Sequence, residues 1–483
     1  MVAKLGQLPP RIIMLGSFTG MSIINYLFGL AIGWLLLPGD YGLVAFAQTI
    51  ILVAGLMLNS GFAWSLTAQV AKADGAEQSA LIRGALLADL LLALSLSGAI
   101  IGLFALGALR SGLETWDITL IVAASLPFLA ITAIANGAVR GAEQFGTLAS
   151  LRLLEVVGKA IGGIVLVKIG LGATGAVLGF FVGAVLAGIF GLWRVARIFD
   201  MRFVGRVGYP SLRLAGGMFG ALLGMALLLN LDILFLKLFS GAERETTGYY
   251  QAAIMLANTP YYLGTAMFTV MFPRLARLDD ISQSGEVVGD TLRLVLLFLI
   301  PIEIGIFIAP YQILDLVFPA DYLSAAPMLR ILAVGNGAII LVAMLSTSFQ
   351  ALDKARIPAV VLLSVTALEA FVLRMVAPAY SATGTASTFV AACLAAFVFL
   401  GIIYSRFIPT LMTAKTVSWL ARYGLSLMVA LGVFFILYEI WQALFLLSAI
   451  IATVCYLFAA SGLGLLPVPM VVIYQIKKNR KVV

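Results

Sequence analysis

The chain has 483 residues, of which 62% are hydrophobic and 11% charged, and carries a formal net charge of +8. A soluble domain holds about 25% charged residues, so this composition excludes a water-soluble globule and assigns an integral membrane protein. The apolar stretches run to about 20–30 residues, enough for helices to cross a hydrocarbon core about 30 Å thick and too long for barrel strands, so the expected fold is an all-α membrane bundle.

The opening Met1–Arg11 is short and leads straight into a full-length apolar stretch, so no cleavable leader is expected. From residue 12 to residue 465 we read about fourteen spans. Joints from an odd to an even span, beginning with Leu37–Tyr41, are poor in Lys and Arg. Joints from even to odd hold Lys72 and Arg83, Arg140, Arg194 and Arg197, Arg274 and Arg277, Lys354 and Arg356, then Arg406 and Lys415. Lys4, Arg11 and the tail Lys477, Lys478, Arg480 and Lys481 fall on that same side, which predicts cytoplasmic termini. The positive charge is thus topology and flank, with no nucleic-acid partner implied.

Residues Asn230, Gly248, Ala253 and Leu275–Asp279 echo Asn25, Gly42, Ala47 and Val70–Asp74 at an offset of about 205 residues. The shared polar Asn, the helix-opening Gly and the basic-then-acidic exit carry more weight than the apolar letters. Two copies of a six-helix unit follow: residues 1–205 form a first lobe and 206–410 a second, with two extra helices and a basic tail in 411–483. The basic connection Asp200–Ser211 is the expected linker. Six helices per copy is an even number, so both copies insert the same way round.

Gly170-Leu171-Gly172-Ala173-Thr174-Gly175 matches a dinucleotide pattern but lacks its strand and βαβ setting, so it reads as a tight turn. No phosphate-cradling G-x-x-x-x-G-K-S/T motif occurs. With no His, and Cys393 and Cys455 both within apolar runs, neither a metal site nor a disulfide framework nor a cofactor is expected. Small-residue pairs such as Gly179 with Gly183 and Gly220 with Gly224 read as internal packing, which leaves a monomer as the expectation. No catalytic constellation is present, so the protein is not read as an enzyme.

Charges inside spans cost about 2.5–3.5 kcal/mol each at a helix centre and must face a partner or a wet cavity. Arg152, Glu155 and Lys159 share one face of the fifth span. They form either a self-neutralising ladder or, with one positive charge left over, a site for an anionic group. Asn230, Asp232 and Lys237 lie on the seventh span, and Glu303 on the ninth beside Pro301. Asp232 and Glu303 are the candidates for proton or cation coupling. Arg330 and Arg374 either snorkel to the outer interface or join Arg152, Lys159 and Lys237 in a cationic cavity.

The stretch Leu36-Leu37-Pro38-Gly39-Asp40-Tyr41-Gly42, and Asp232 followed by Gly248-Tyr249-Tyr250-Gln251-Ala252-Ala253, Pro260 and Pro273, resemble the polysaccharide transporter branch of the multidrug, oligosaccharidyl-lipid and polysaccharide exporter superfamily. Leu37 stands where that family usually has Gly. The resemblance implies a pair of six-helix lobes around a central cavity opening alternately to each side of a bacterial cytoplasmic membrane. It implies as cargo a polyprenyl-pyrophosphate-linked oligosaccharide repeat unit, with a polymerase or glycosyltransferases as partners, and a groove for the lipid tail at the last two helices. A cation-coupled multidrug antiporter of the same superfamily is the alternative, and would need an acidic lumen. A lipid II-type flippase is the other, but such proteins carry arginines in their first two helices, where this chain has none between Arg11 and Lys72.

Overall fold

The computed structural model describes residues 10–60, 62–199, 207–210, 216–241, 243–278, 284–407, 414–440 and 445–465. The basic tail, Lys4 and most of the Asp200–Ser211 connection lie outside the described residues. Every regular element among the described residues is helical.

Helix α1 (Pro10–Leu35) turns at Leu36–Leu37 into α2 (Pro38–Ser60), and α3 (Phe62–Val70) continues it. Pro38 suits the first turn of α2 because its missing N–H is one that a helix start leaves unpaired anyway. After α4 (Gly75–Ala105) and the single turn α5 (Arg110–Leu113), the Thr115 hydroxyl accepts from the Ile118 amide and caps α6 (Trp116–Gly141).

Helices α7 (Phe145–Leu166) and α8 (Gly172–Ile198) form a hairpin closed by a π-helical turn at Val167–Leu171. Gly170 (φ 99°) and Gly172 (φ 52°) supply the left-handed backbone that the reversal needs, so the glycine-rich motif is a turn, as read. The arms touch backbone to backbone. A β-carbon on Gly179 would lie 2.5 Å from Gly163 Cα, and one on Gly183 would lie 2.4 Å from the Glu155 carbonyl oxygen. This contact pins the α7 face that carries Arg152, Glu155 and Lys159.

Helix α9 (Gly216–Leu228) and α10 (Leu231–Phe239) are one apolar stretch bent by 46°. The bend sits at Leu229–Asn230, where the Asn230 side-chain amide donates to the Ala226 carbonyl at 2.8 Å while its backbone N–H donates to the Leu227 carbonyl, interrupting the regular ladder. Then come α11 (Arg244–Ala257), α12 (Thr259–Leu275), α13 (Ser284–Leu294), a π turn at Val295–Leu299, α14 (Ile300–Ile308), α15 (Pro310–Val317), a 3₁₀ turn at Ala320–Ala325 and α16 (Ala326–Ala351). Helix α17 (Arg356–Phe407) is 52 residues long and breaks at Ser381 (φ 50°), and α18 (Ala414–Ile440) and α19 (Phe445–Gly462) end the described chain.

Eight stretches among the described residues are long and apolar enough to cross a membrane, or nine with the bent α9–α10 pair. The sequence count is about fourteen. Two of the eight, Phe145–Ile198 and Arg356–Phe407, are 54 and 52 residues long and contain the breaks just described. The stretches Gly20–Leu35 and Leu447–Gly462 fall below the length required.

By packing, the chain divides into two units. The first comprises Met1–Ala276 and Glu303–Gly401. In it, the glycines that the sequence repeat pairs, Gly42 on α2 and Gly248 on α11, meet face to face: a β-carbon on Gly248 would lie 1.8 Å from the Pro38 carbonyl oxygen. The paired alanines Ala47 and Ala253 are both fully buried.

The second unit comprises Arg277–Ile302 and Ile402–Val483. Its core gathers Leu297, Trp419, Tyr423, Tyr456, Ala460 and Leu465, with Trp419 and Tyr423 stacked at 5.5 Å between ring centroids. A π turn disturbs the regular carbonyl ladder, and here the Tyr456 hydroxyl donates to the Leu297 carbonyl at 2.7 Å.

Candidate substrate cavity and outer closure

A cavity of about 510 Å³ lies within the first unit, walled by α1, α2, α3, α6 and α7. Its polar lining comes from Asn25 on α1, Asn59 on α2, Asn136 and Arg140 on α6, and Arg152 and Glu155 on α7. Arg140 places its guanidinium carbon 4.9 Å from the centre of the Trp64 ring, also in the wall. Lys159, one turn further along α7 than Glu155, donates to the Asn25 side-chain oxygen and sits about 5 Å from the rings of Phe28 and Phe180. Its ammonium is therefore held behind the wall that Asn25 presents, by a hydrogen bond and two aromatic faces.

Arg152 and Glu155 line the same cavity, while Lys159 turns to Asn25 and the aromatic rings. Arg140, read from sequence only as a cytoplasmic-loop residue, joins Arg152 on the wall. The signal for it was in the spacing: Thr132, Asn136 and Arg140 are four apart, so they share one face of α6, and all three line the cavity.

The other candidates lie elsewhere. The Lys237 side chain, 6% exposed, pairs with Glu114 at 2.8 Å. Arg244 bridges Glu114 at 2.9 Å and Asp40 at 2.8 Å. This four-residue cluster joins the Pro38-Gly39-Asp40 turn and the α5–α6 joint to the α10–α11 joint, all at the end opposite the basic loops, which we call the outer end. The structure thus sets Lys237 against a carboxylate and not in the cavity wall, because a nearly buried ammonium needs a counter-charge. Glu114 is 123 residues away in sequence, so that pairing had no local signal.

The motif residues close the same end. The Tyr41 hydroxyl contacts the Met255 sulfur, the Tyr322 hydroxyl donates to the Leu36 carbonyl at 2.9 Å, and the Trp34 indole donates to the Val317 carbonyl at 2.8 Å. Gly39 leaves room for the Arg244 side chain, since a β-carbon there would lie 3.2 Å from Arg244 Cγ. The Tyr249 hydroxyl donates to Glu245 at 2.8 Å. Arg330 is exposed and donates to the Phe307 carbonyl, and Arg374, also exposed, places its guanidinium 4.5 Å from the Phe239 ring centre.

The acidic candidates are buried. Asp232, at the first turn of α10, accepts from the Tyr250 hydroxyl at 2.8 Å and from the Ile233 amide at 2.8 Å, an anion site at a broken-helix N-terminus. Glu369 and Cys393, both buried on α17, lie within electrostatic reach of Asp232. The carboxylates of Asp89, Glu303 and Glu369 have no hydrogen-bond partner among the described residues. Glu369 was not singled out from the sequence as a coupling group, because its distance to Asp232 depends on how α10 and α17 pack. No group of three or more His, Cys, Asp or Glu suited to a metal ion occurs among the described residues.

Residues 12–279 match the polysaccharide biosynthesis protein family. No curated protein matches the chain in sequence. Among solved structures, the fold is similar to a lipid II flippase MurJ in an inward closed conformation, at 16% identity and TM-score 0.74, covering 92% of this chain and 98% of that one. It is similar to a multidrug resistance MATE family transporter of the MOP superfamily in an inward-facing conformation, at 17% identity and TM-score 0.56, over 81% of this chain and 96% of that one. A MOP superfamily transporter from Pyrococcus furiosus, described by the reversed polarity of its binding pocket, matches at 15% identity and TM-score 0.52, over 82% and 94% of the two chains.

Proposed function

The chain belongs to the polysaccharide biosynthesis protein family, and from that premise we propose that it flips a polyprenyl-pyrophosphate-linked oligosaccharide repeat unit from the cytoplasmic to the outer leaflet of a bacterial cytoplasmic membrane by alternating access. The observation that carries this reading is the pair Arg140 and Arg152 in one cavity wall, with Lys159 anchored just behind. Guanidinium groups bind phosphate oxygens through parallel charge-assisted hydrogen bonds, and a low-dielectric wall strengthens them. A basic wall repels cationic drugs, which argues against the multidrug antiporter.

Two further features support the cycle. The outer end is held by the Gly42–Gly248 contact and the Asp40–Arg244–Glu114–Lys237 cluster, so release to that side requires both to part. The lipid tail stays in the bilayer, and residues 411–483 are assigned a groove for it beyond the two lobes 1–205 and 206–410. Coupling to an ion gradient is assigned to Asp232 and Glu303. The basic joints, including Lys72 and Arg83, face the cytoplasm, and a polymerase and glycosyltransferases act on either side of the step.

The test is reconstitution of the purified chain in liposomes with lipid-linked glycan extracted from cells lacking it. Arg152→Glu and Lys159→Glu are expected to abolish translocation. Wild-type polymer output from either variant in cells would remove the cavity from the mechanism.

A further inference from the structure

Residues 207–210, part of the connection from α8 to α9, dock on the start of α4. The Gly208 N–H donates to the Ala80 carbonyl at 3.0 Å. A β-carbon on Gly84 would lie 1.9 Å from the Gly208 carbonyl oxygen, 2.7 Å from its carbonyl carbon and 3.3 Å from Val207 Cγ1. Pro210, the last of the four, is buried. A second tie holds the near end of the same connection: the buried Ser79 hydroxyl donates to the Phe199 carbonyl, just past α8, at 2.6 Å.

Helix geometry explains why position 84 is a glycine. Side chains on an α-helix lean toward its N-terminus, so the side chain at i+4 covers the carbonyl at i. The Ala80 carbonyl serves the α4 ladder with one lone pair and has a second for a donor from outside. With no side chain at Gly84, that second lone pair is open to Gly208. Gly208 itself has room to spare, since a β-carbon there would meet Ala80 and Leu81 at 3.6 Å, an ordinary contact. Gly289 on α13 follows Gly84 at the offset of the repeat, yet a β-carbon on it would meet nothing within 4 Å. Among the described residues, then, this docking belongs to the first of the two aligned stretches.

The far end of the connection is anchored on the second stretch. Near the start of α9, a β-carbon on Gly217 would lie 3.1 Å from Arg356 Cγ and 3.2 Å from the Arg356 amide nitrogen, at the joint where α17 begins. From Pro210 to Gly217 is seven steps along the chain, which reach at most about 25 Å. Without the docking the connection would run from Phe199, eighteen steps with a reach of about 65 Å. The longer reach exceeds a hydrocarbon core of about 30 Å and leaves the separation of the two anchors effectively unbounded, whereas the shorter one does not.

We propose that residues 207–210 are a strap which, fastened to α4, limits how far the two aligned stretches part at the end that carries the basic joints, with Gly84 as the residue that lets it fasten. This rests on the alternating-access reading and adds to it a device that bounds the inward-open state.

The test uses the full-length chain in nanodiscs with Cys393 and Cys455 replaced by Ala. Alkylation of Pro210→Cys reads the strap. The distance between spin labels on Lys72→Cys and Arg274→Cys, both exposed at that end, reads the opening. Gly84→Ala is expected to raise the labelling rate about tenfold, as backbone overpacking should, and to add a population at longer label distances. The same change at Gly208 or Gly289, where no atom comes closer than 3.6 Å, is expected to leave both readings at wild type. Ser79→Ala removes the tie at Phe199 without adding an atom; it is expected to shift both readings in the same direction by less, and serves if Gly84→Ala fails to fold. Faster labelling with unchanged label distances would overturn the limit on opening, and unchanged labelling in Gly84→Ala would overturn the strap. Neither reading needs cargo, so both stand apart from what is flipped. A wild type with one label distance under every condition would remove alternating access and the strap together.

Discussion

Adding one methyl group at Gly248 should hold the outer end open. In the closed arrangement its β-carbon would sit 1.8 Å from the Pro38 carbonyl oxygen and 2.4 Å from the Pro38 carbonyl carbon, where ordinary contact begins at 3.4 Å. Helices α2 and α11 must therefore separate locally by about 3.4 − 1.8 = 1.6 Å. The obstacle is backbone at the start of a helix, so no side-chain rotation relieves it. Overpacking of this kind costs about 1–3 kcal/mol, and 1.4 kcal/mol is tenfold in an equilibrium, so the closed population should fall about 5- to 150-fold relative to the open one. The assay is alkylation, from the outer face, of a cysteine placed at Ala253, which is fully buried here, in a chain whose Cys393 and Cys455 are replaced by Ala. Gly248→Ala should raise the labelling rate and lower transport. Gly42→Ala, whose nearest contact would be 2.7 Å, should do so less. Unchanged labelling in Gly248→Ala with transport intact would refute the closure mechanism.

Glu114→Gln leaves Lys237, 6% exposed, without its carboxylate; the fully buried case costs about 3–5 kcal/mol, and with Glu114 24% exposed a loss of about 1–3 kcal/mol is expected, read as a lower melting temperature and faster labelling at Ala253→Cys. Arg244→Gln touches a half-exposed guanidinium, 51% accessible, and should cost no more than about 1 kcal/mol, so the reverse ranking would count against the cluster as an outer latch. Asp232→Asn or Glu303→Gln should remove the dependence of transport on a proton or sodium gradient in liposomes, and Glu369→Gln should do so if it acts with Asp232; an unchanged response in all three would dismiss ion coupling through these carboxylates. In the second unit, Tyr456→Phe strips the Leu297 carbonyl of its hydroxyl donor and should lower stability by about 1–3 kcal/mol, with a melting temperature equal to wild type as the contrary result.

The features most legible in the sequence were those fixed by local backbone or by composition. Gly170 and Gly172 announced a turn, and the repeat matched Gly42 with Gly248, which turned out to touch. The charges within spans were legible as costly positions; Asp232, Glu303 and Glu369 are all buried, and of the three only the Asp232 carboxylate has a hydrogen-bond partner among the described residues. Partner identity was not legible, because helix pairing in a membrane is settled by small-residue contacts that any Gly- and Ala-rich span can offer. Lys237 pairs with Glu114 from a joint read in sequence only as poor in Lys and Arg. Arg140, counted toward topology, faces inward because α6 runs on to Gly141 and carries the Thr132–Asn136–Arg140 face with it.

The two stretches that the sequence repeat aligns differ in structure. Asn25 and Asn230 are matched by the repeat, yet Asn25 lies in the unbroken α1 and accepts from Lys159, while Asn230 sits at the α9–α10 bend and donates to its own helix. In the first stretch the asparagine holds the half-buried Lys159 ammonium behind the cavity wall. In the second it opens the backbone one residue before Leu231, so that Asp232 meets a free helix start and the Tyr250 hydroxyl. On the proposed reading, anionic cargo meets Arg140 and Arg152, beside Glu155, in the first stretch, and an ion meets Asp232, within reach of Glu369, in the second. The Gly42–Gly248 contact ties the two copies at the outer end. The proposed coupling requires that parting this contact also move the cationic wall relative to Asp232 and Glu369, so that an ion leaving one biases where the other opens.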